Sequence, residues 1–174
     1  MYELKQKRTM TMFYNLLAKT NNTTLVLLVP MLCSFLIAFF SLKFFKRILP
    51  KDQGRAFAVN GALSEGKPRG AGIIFVTSFT LCTALFYPLD IENIIYLVLV
   101  YAAMLSGYFD DAAETAWNEY KKGIIDFAIA IVAGVTYLNF NGCGVNFLQW
   151  SFTLPYAVYL LLIVILIWTS INVV

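Results

Sequence analysis

Asp110 and Asp111 are adjacent carboxylates that follow directly on the apolar run NIIYLVLVYAAMLSGYF at positions 93–109. Two negative charges beside hydrocarbon are costly, and such a placement marks a functional position by default. Paired carboxylates at a membrane surface can seat Mg²⁺ and a phosphate-bearing substrate. The plain alternative is a solvated helix end. A second group lies upstream, in Gly66-Lys67-Pro68-Arg69-Gly70-Ala71-Gly72. Its glycines permit close backbone approach, and Pro68 stiffens the strand between them. Lys67 offers phosphate a point charge and Arg69 a planar fork. Gly70 opens an apolar segment whose first amides can also meet an anion. Cations at a helix end equally obey the topology rule and touch lipid headgroups. Taken alone, each group leaves both readings open. Found together on one membrane face, they favour a phosphoryl-transfer site.

The elements that must position these residues are membrane helices. Of the 174 residues, 60% are hydrophobic and 13% charged, and the mean hydropathy is +0.72. A soluble domain of this length cannot hide so much apolar surface in one core. Five segments read as spans by length and polarity, at 24–45, 70–89, 93–109, 123–140 and 153–174. The expected class is therefore an all-α integral membrane protein with about five transmembrane helices. The first apolar run starts late and lacks a small-residue cleavage site, so no cleavable leader is expected. Cys33, Cys82 and Cys143 have no C-x-x-C spacing, which argues against a disulfide framework or a zinc site. The absence of histidine excludes a His base or a His-ligated metal within these residues.

Lys and Arg counts set the expected orientation. The loop between the first two spans holds Lys46, Arg47, Lys51, Arg55, Lys67 and Arg69, with Lys43 at the membrane edge, and the loop after the aspartates adds Lys121 and Lys122. The opposite face has Lys5, Lys7, Arg8 and Lys19 in the amino-terminal tail, and its two other loops have none. The basic face, with the aspartates on it, is expected to be cytoplasmic. Residues 1–23 form an extracytoplasmic tail on this reading.

These residues resemble a known family. Gly66 to Gly72 looks like the Gly-Thr-Pro-Thr-Met-Gly-Gly loop of the polyprenyl-phosphate hexosamine-1-phosphate transferases. Gly107-Tyr108-Phe109-Asp110-Asp111 resembles their G-F-x-D-D motif, and Ser170-Ile171-Asn172-Val173-Val174 is similar to the start of their N-x-x-N segment. Within the family the phospho-N-acetylmuramoyl-pentapeptide transferases are the most similar, and AFAVNGALSEGKPRGAG and AWNEYKKG resemble their clostridial-type branch. The resemblance implies Mg²⁺-dependent transfer of phospho-N-acetylmuramoyl-pentapeptide from its UDP carrier to undecaprenyl phosphate in a bacterial cytoplasmic membrane. The products are lipid I, a peptidoglycan precursor, and UMP. It implies catalytic and metal-binding roles for Asp110 and Asp111, and substrate contacts for Lys67, Arg69, Gly70 and Asn172. The bilayer and the two substrates are the expected partners, nucleic acid is not, and a homodimer is allowed for the full-length form.

The resemblance covers the whole chain but only the amino-terminal half of a ten-span fold, with residues 24–174 as its five-span part. An Asp-Gly-x-Asp-Gly run, a later metal-binding aspartate and a histidine-rich loop fall beyond Val174 in the family. The 174-residue chain is therefore expected to be an inactive or partial fragment by itself. Glu114 and Asp126 stand where the family usually has lysines. Two other readings remain at this level: a transferase of UDP-N-acetylglucosamine to the same lipid, and a non-catalytic membrane paralogue or small transport subunit. Among further residues, Asp126 is expected to reach the headgroups, and Glu119, Lys121 and Lys122 to form a solvated loop. Trp168 and the Phe-rich first span are read as lipid-facing or packing surface. Pro30 and Pro155 are expected near the outer ends of their spans.

Overall fold

Asn22 starts the first helix in the computed structural model, which describes residues 13, 15–16, 19, 22–51, 66–113, 117–148 and 150–172. Its Oδ1 accepts hydrogen bonds from the Thr24 and Leu25 amides at 3.0 and 3.3 Å, an N-cap that satisfies two otherwise orphaned donors. Helix α1 then runs Thr23–Phe45, followed by α2 at Gly72–Phe86, α3 at Ile91–Ala112 and α4 at Glu119–Asn141. A hairpin of β1 (Gly144–Phe147) and β2 (Trp150–Thr153) precedes α5 at Tyr156–Asn172. All five expected helices are present.

Their lengths differ from the expectation. Helices α1, α3 and α4 are long and apolar enough to cross a membrane. Helix α2, with 15 residues, and α5, with 17, are shorter apolar helices. At 1.5 Å per residue they reach roughly 22 and 26 Å, against a hydrocarbon core of about 30 Å. Helix α2 begins late because Gly70 has φ +67°, outside the helical region. Helices α3 and α4 extend past the apolar runs, so Asp110 and Asp111 lie inside the last turn of α3 and not beyond it. Pro30 likewise falls inside α1, two turns from its start, where it removes a ladder hydrogen bond.

The helices make the molecule all-α apart from this short hairpin, which moves Thr153 out of the fifth span. The strands pair antiparallel from Gly144↔Thr153 to Phe147↔Trp150. Leu148 at φ +54° supplies the left-handed residue that a two-residue turn requires. Every residue of β2 is exposed. Helix α5 starts one residue after Pro155, a position where a missing amide donor costs nothing.

The chain divides into two compact units, and α3 contributes to both. In the first unit (residues 1–90 and 104–116) α1 packs on α2 around Ala38, Ile74 and Cys82. In the second (residues 91–103 and 117–174) α4 packs on α5. Gly134 is a point of close approach there: a Cβ on it would lie 2.9 Å from Leu160 Cδ1. Small residues at such a crossing let membrane helices pack by van der Waals contact. Trp168 Nε1 donates to the Gly123 carbonyl at 3.0 Å and its ring meets Phe127 edge-on, so Trp168 is packing surface. Elsewhere apolar side chains point outward, with Leu27 68% and Phe44 71% exposed. A surface of that kind suits hydrocarbon and not water.

Candidate functional site

Beyond α1 the chain turns through Leu49, which is buried, to Pro50. The Pro50 carbonyl accepts the Arg69 amide at 2.7 Å, and Lys51 forms an antiparallel bridge with Pro68. The two ends of the α1–α2 connection are thereby stapled together, which fixes the backbone that carries Arg69 and Gly70. Gly70 docks this staple on α3. A Cβ at Gly70 would lie 2.9 Å from Tyr108 Cδ2, 3.1 Å from Tyr108 Cε2 and 3.5 Å from Pro50 Cγ. Both its positive φ and this contact require glycine.

With Gly70 against Tyr108, Arg69 reaches the end of α3. Its Nη2 lies 3.6 Å from Asp111 Oδ1, with the two side chains 29% and 34% exposed. The structure thus brings together the basic glycine loop and the aspartate pair. The helix end itself explains why a cation is needed. The last turn of α3 carries Asp110 and Asp111 and no basic residue, so two carboxylates stand at the negative pole of the helix dipole. Arg69, supplied from another element, offsets part of that repulsion. At the facing start of α2, Ala71 makes no side-chain cap, and an uncapped helix start is a favourable place for an anion.

Lys67 is exposed beside this group. Asn172 belongs to the second unit, where its Nδ2 donates to the Trp168 carbonyl at 2.9 Å. Its amide is engaged with its own helix. Among the described residues no group of three or more His, Cys, Asp or Glu side chains could hold a metal ion. Two aspartates are nonetheless an ordinary protein share for Mg²⁺, which is commonly held by one or two carboxylates with substrate phosphates and water. The donor set fits a metal shared with a diphosphate, and not a closed protein cage. Glu114, and Arg55 in the basic loop, lie outside the described residues.

Three other placements differ from the sequence reading. Asp126 is 1% exposed and its Oδ2 has no hydrogen-bond partner among the described residues. It does not reach the headgroups, because α4 starts at Glu119 behind the Asn118 cap and Asp126 is two turns in. Lys121 Nζ stacks over the Trp117 ring at 3.6 Å from its centroid, a cation–π contact in place of simple solvation. Glu92, which sequence reasoning passed over, accepts from Asn141 Nδ2 at 2.6 Å and from Tyr96 OH at 3.1 Å. Its one sequence signal was an acid at the start of a span. Tyr108 was visible only as a member of the Gly-Tyr-Phe-Asp-Asp motif, without its positioning role.

No family model matches the chain, and no solved structure matches it. Curated relatives include the phospho-N-acetylmuramoyl-pentapeptide-transferases of two strains of Treponema pallidum, Nichols being one of them. Each is 44% identical over 86 residues, covering 49% of this chain and 24% of the relative. The chain is thus a partial relative of these enzymes, matched over about a quarter of their length.

Proposed function

We propose that this partial relative of the phospho-N-acetylmuramoyl-pentapeptide-transferases carries half of a phosphoryl-transfer site of the same kind. The reaction is transfer of phospho-N-acetylmuramoyl-pentapeptide from its UDP carrier, with UMP as the leaving group, to undecaprenyl phosphate at the cytoplasmic face of a bacterial membrane, in a protein crossed by five helices over this stretch. Lipid I and UMP are the products. The observation that carries the reading is the approach of Arg69 to Asp111, which joins a phosphate-suited loop to a metal-suited carboxylate pair.

Arg69 and Lys67 bind and orient the diphosphate, and Gly70, docked on Tyr108, holds their loop against the end of α3. Asp110 and Asp111 would hold Mg²⁺, which would supply positive charge to offset that of the transferring phosphoryl group. The lipid phosphate is largely ionised near pH 7, since its second pKa is about 6. One aspartate accepts whatever proton remains on it. Catalysis on this account is mainly positioning and charge neutralisation, as phosphoryl transfer requires.

The test uses membranes containing the protein as its genome encodes it, with UDP-N-acetylmuramoyl-pentapeptide labelled in the sugar, and undecaprenyl phosphate. Label should pass to the lipid phase with release of UMP, stop on chelation by EDTA and resume on adding Mg²⁺. Transfer unaffected by EDTA, or no transfer with both substrates present, contradicts the proposal.

A further inference from the structure

The hairpin between α4 and α5 has two unlike faces. Its register pairs Val145 with Phe152 and Phe147 with Trp150, and it pairs Gly144 with Thr153 and Asn146 with Ser151. Successive strand residues alternate sides and directly opposed residues share one, so the first two pairs lie on one face and the last two on the other. One face is therefore apolar, and the other small and polar. The apolar face is open: Trp150 is 76% exposed, Phe152 is exposed, and Leu148 at the turn is 92% exposed. We propose that this hairpin lies in the membrane–water interface, with its apolar face against lipid and its polar face toward water. The inference rests on the helices crossing a membrane and is independent of the transferase reading.

Level, charge and backbone chemistry all favour lipid as the partner of that face. Asn141 Nδ2 donates to Glu92 Oε1 at 2.6 Å, where α4 ends and α3 starts. A carboxylate and an amide belong outside hydrocarbon, so this bond marks the polar boundary of the spans. The hairpin begins three residues later at Gly144, and its base is closed by the Leu154 amide, which donates to the Cys143 carbonyl at 3.1 Å. Tyr156 opens α5 just after it and is exposed, as suits a ring at the interface. The hairpin is also uncharged: after Asp126 the sequence holds no Asp, Glu, Lys or Arg as far as Val174. Edge strands in water are commonly guarded by charge or proline, and β2 has neither. A charged protein surface finds no complement on it. The backbone sets the depth. The outer edges of a two-stranded ribbon carry N–H and C=O groups that hydrocarbon cannot satisfy. Water and headgroups serve those groups while the apolar face enters the acyl boundary, about 5–10 Å deep as for an amphipathic helix.

Fluorescence quenching in vesicles of brominated phosphatidylcholine tests the placement. The difference in emission between the wild-type protein and Trp150→Phe isolates the Trp150 ring, and the exposed position of that ring leaves the helix packing untouched by the change. Bromine near the headgroup end of the acyl chains should quench this emission about twofold more strongly than bromine near the chain terminus, since an interfacial ring sits shallow. Added salt, or phosphatidylglycerol in place of part of the phosphatidylcholine, should leave the quenching unchanged, because the contact is not ionic. Leu148→Asp, at the exposed turn, should roughly halve it by drawing the tip out of the lipid. Stronger quenching by terminal bromine puts the hairpin in the bilayer core. Quenching by aqueous acrylamide alone puts it in water, and a ring shielded from lipid and acrylamide alike is covered by protein. Each of these overturns the proposal, as does quenching that salt abolishes or that Leu148→Asp leaves unchanged. Flotation of the protein with the same vesicles keeps a failure of the hairpin placement distinct from a failure of membrane insertion.

Discussion

Arg69 and Asp111 hold one another across 3.6 Å while each is suited to a different ligand, phosphate for the guanidinium and metal for the carboxylate. Their pair is partly exposed, so its own contribution to stability is below about 1 kcal/mol. Arg69→Gln should therefore leave the melting temperature almost unchanged. It should weaken nucleotide-diphosphate binding about tenfold, the loss of one charge-assisted contact of roughly 1.4 kcal/mol. The same variant should bind Mn²⁺ more tightly, because Asp111 no longer shares its charge with a fixed cation. Titration of Mn²⁺ by electron paramagnetic resonance checks this, and weaker Mn²⁺ binding contradicts it. Gly70→Ala is the harsher change. It imposes a left-handed backbone on an L-residue, at about 1–2 kcal/mol, and drives a methyl group into the Tyr108 ring. Loss of nucleotide binding is expected, and Tyr108→Ala in the same chain should restore part of it by clearing the contact.

At the scale of elements, hydropathy located the helices and mistook several of their ends. The run from Thr24 was readable to within a residue because α1 is apolar throughout and Asn22 is a strong cap. Helices α3 and α4 ran longer than expected because Glu92, Asp110, Asp111 and Glu119 look like loop residues on a hydropathy scale, yet they extend helices past the apolar stretch. The start of α2 depended on the backbone of Gly70, and no composition encodes its φ. The hairpin had a signal in the alternating Val145, Phe147, Trp150 and Phe152, but Thr153 merged with the apolar residues after it. For the candidate site, residue types and order were legible, whereas the contact between the loop and the helix end was not. It needed the Pro50–Arg69 staple and the Tyr108 ring, neither of which has a distinctive sequence pattern. Asp126 illustrates the same limit. Its spacing with Ala130, Gly134 and Leu138 marks one helix face, but only packing shows that this face is buried. A carboxyl oxygen buried without a partner costs free energy. Asp126→Leu should raise the melting temperature in detergent by a few degrees, about 2–4 °C per kcal/mol at this chain length. A fall of similar size means that the carboxyl has a stabilising partner.

For the molecule as a whole, three helices are long and apolar enough to cross a membrane, and the outward apolar surface suits hydrocarbon. Alkaline carbonate should leave it in the pellet and detergent should release it; release by carbonate alone contradicts membrane insertion. Within that setting the reading depends on one conjunction, the aspartate pair of α3 beside the basic glycine loop. Measuring UMP release from UDP-N-acetylmuramoyl-pentapeptide tests it most directly, with Asp110→Asn and Asp111→Asn compared against Glu119→Gln in membranes carrying the genomically encoded protein. Each aspartate change should lower the rate about a hundredfold or more, the scale of a lost charge-stabilising group, while Glu119→Gln leaves it near the wild-type value. Near-normal turnover in both aspartate variants would contradict the account.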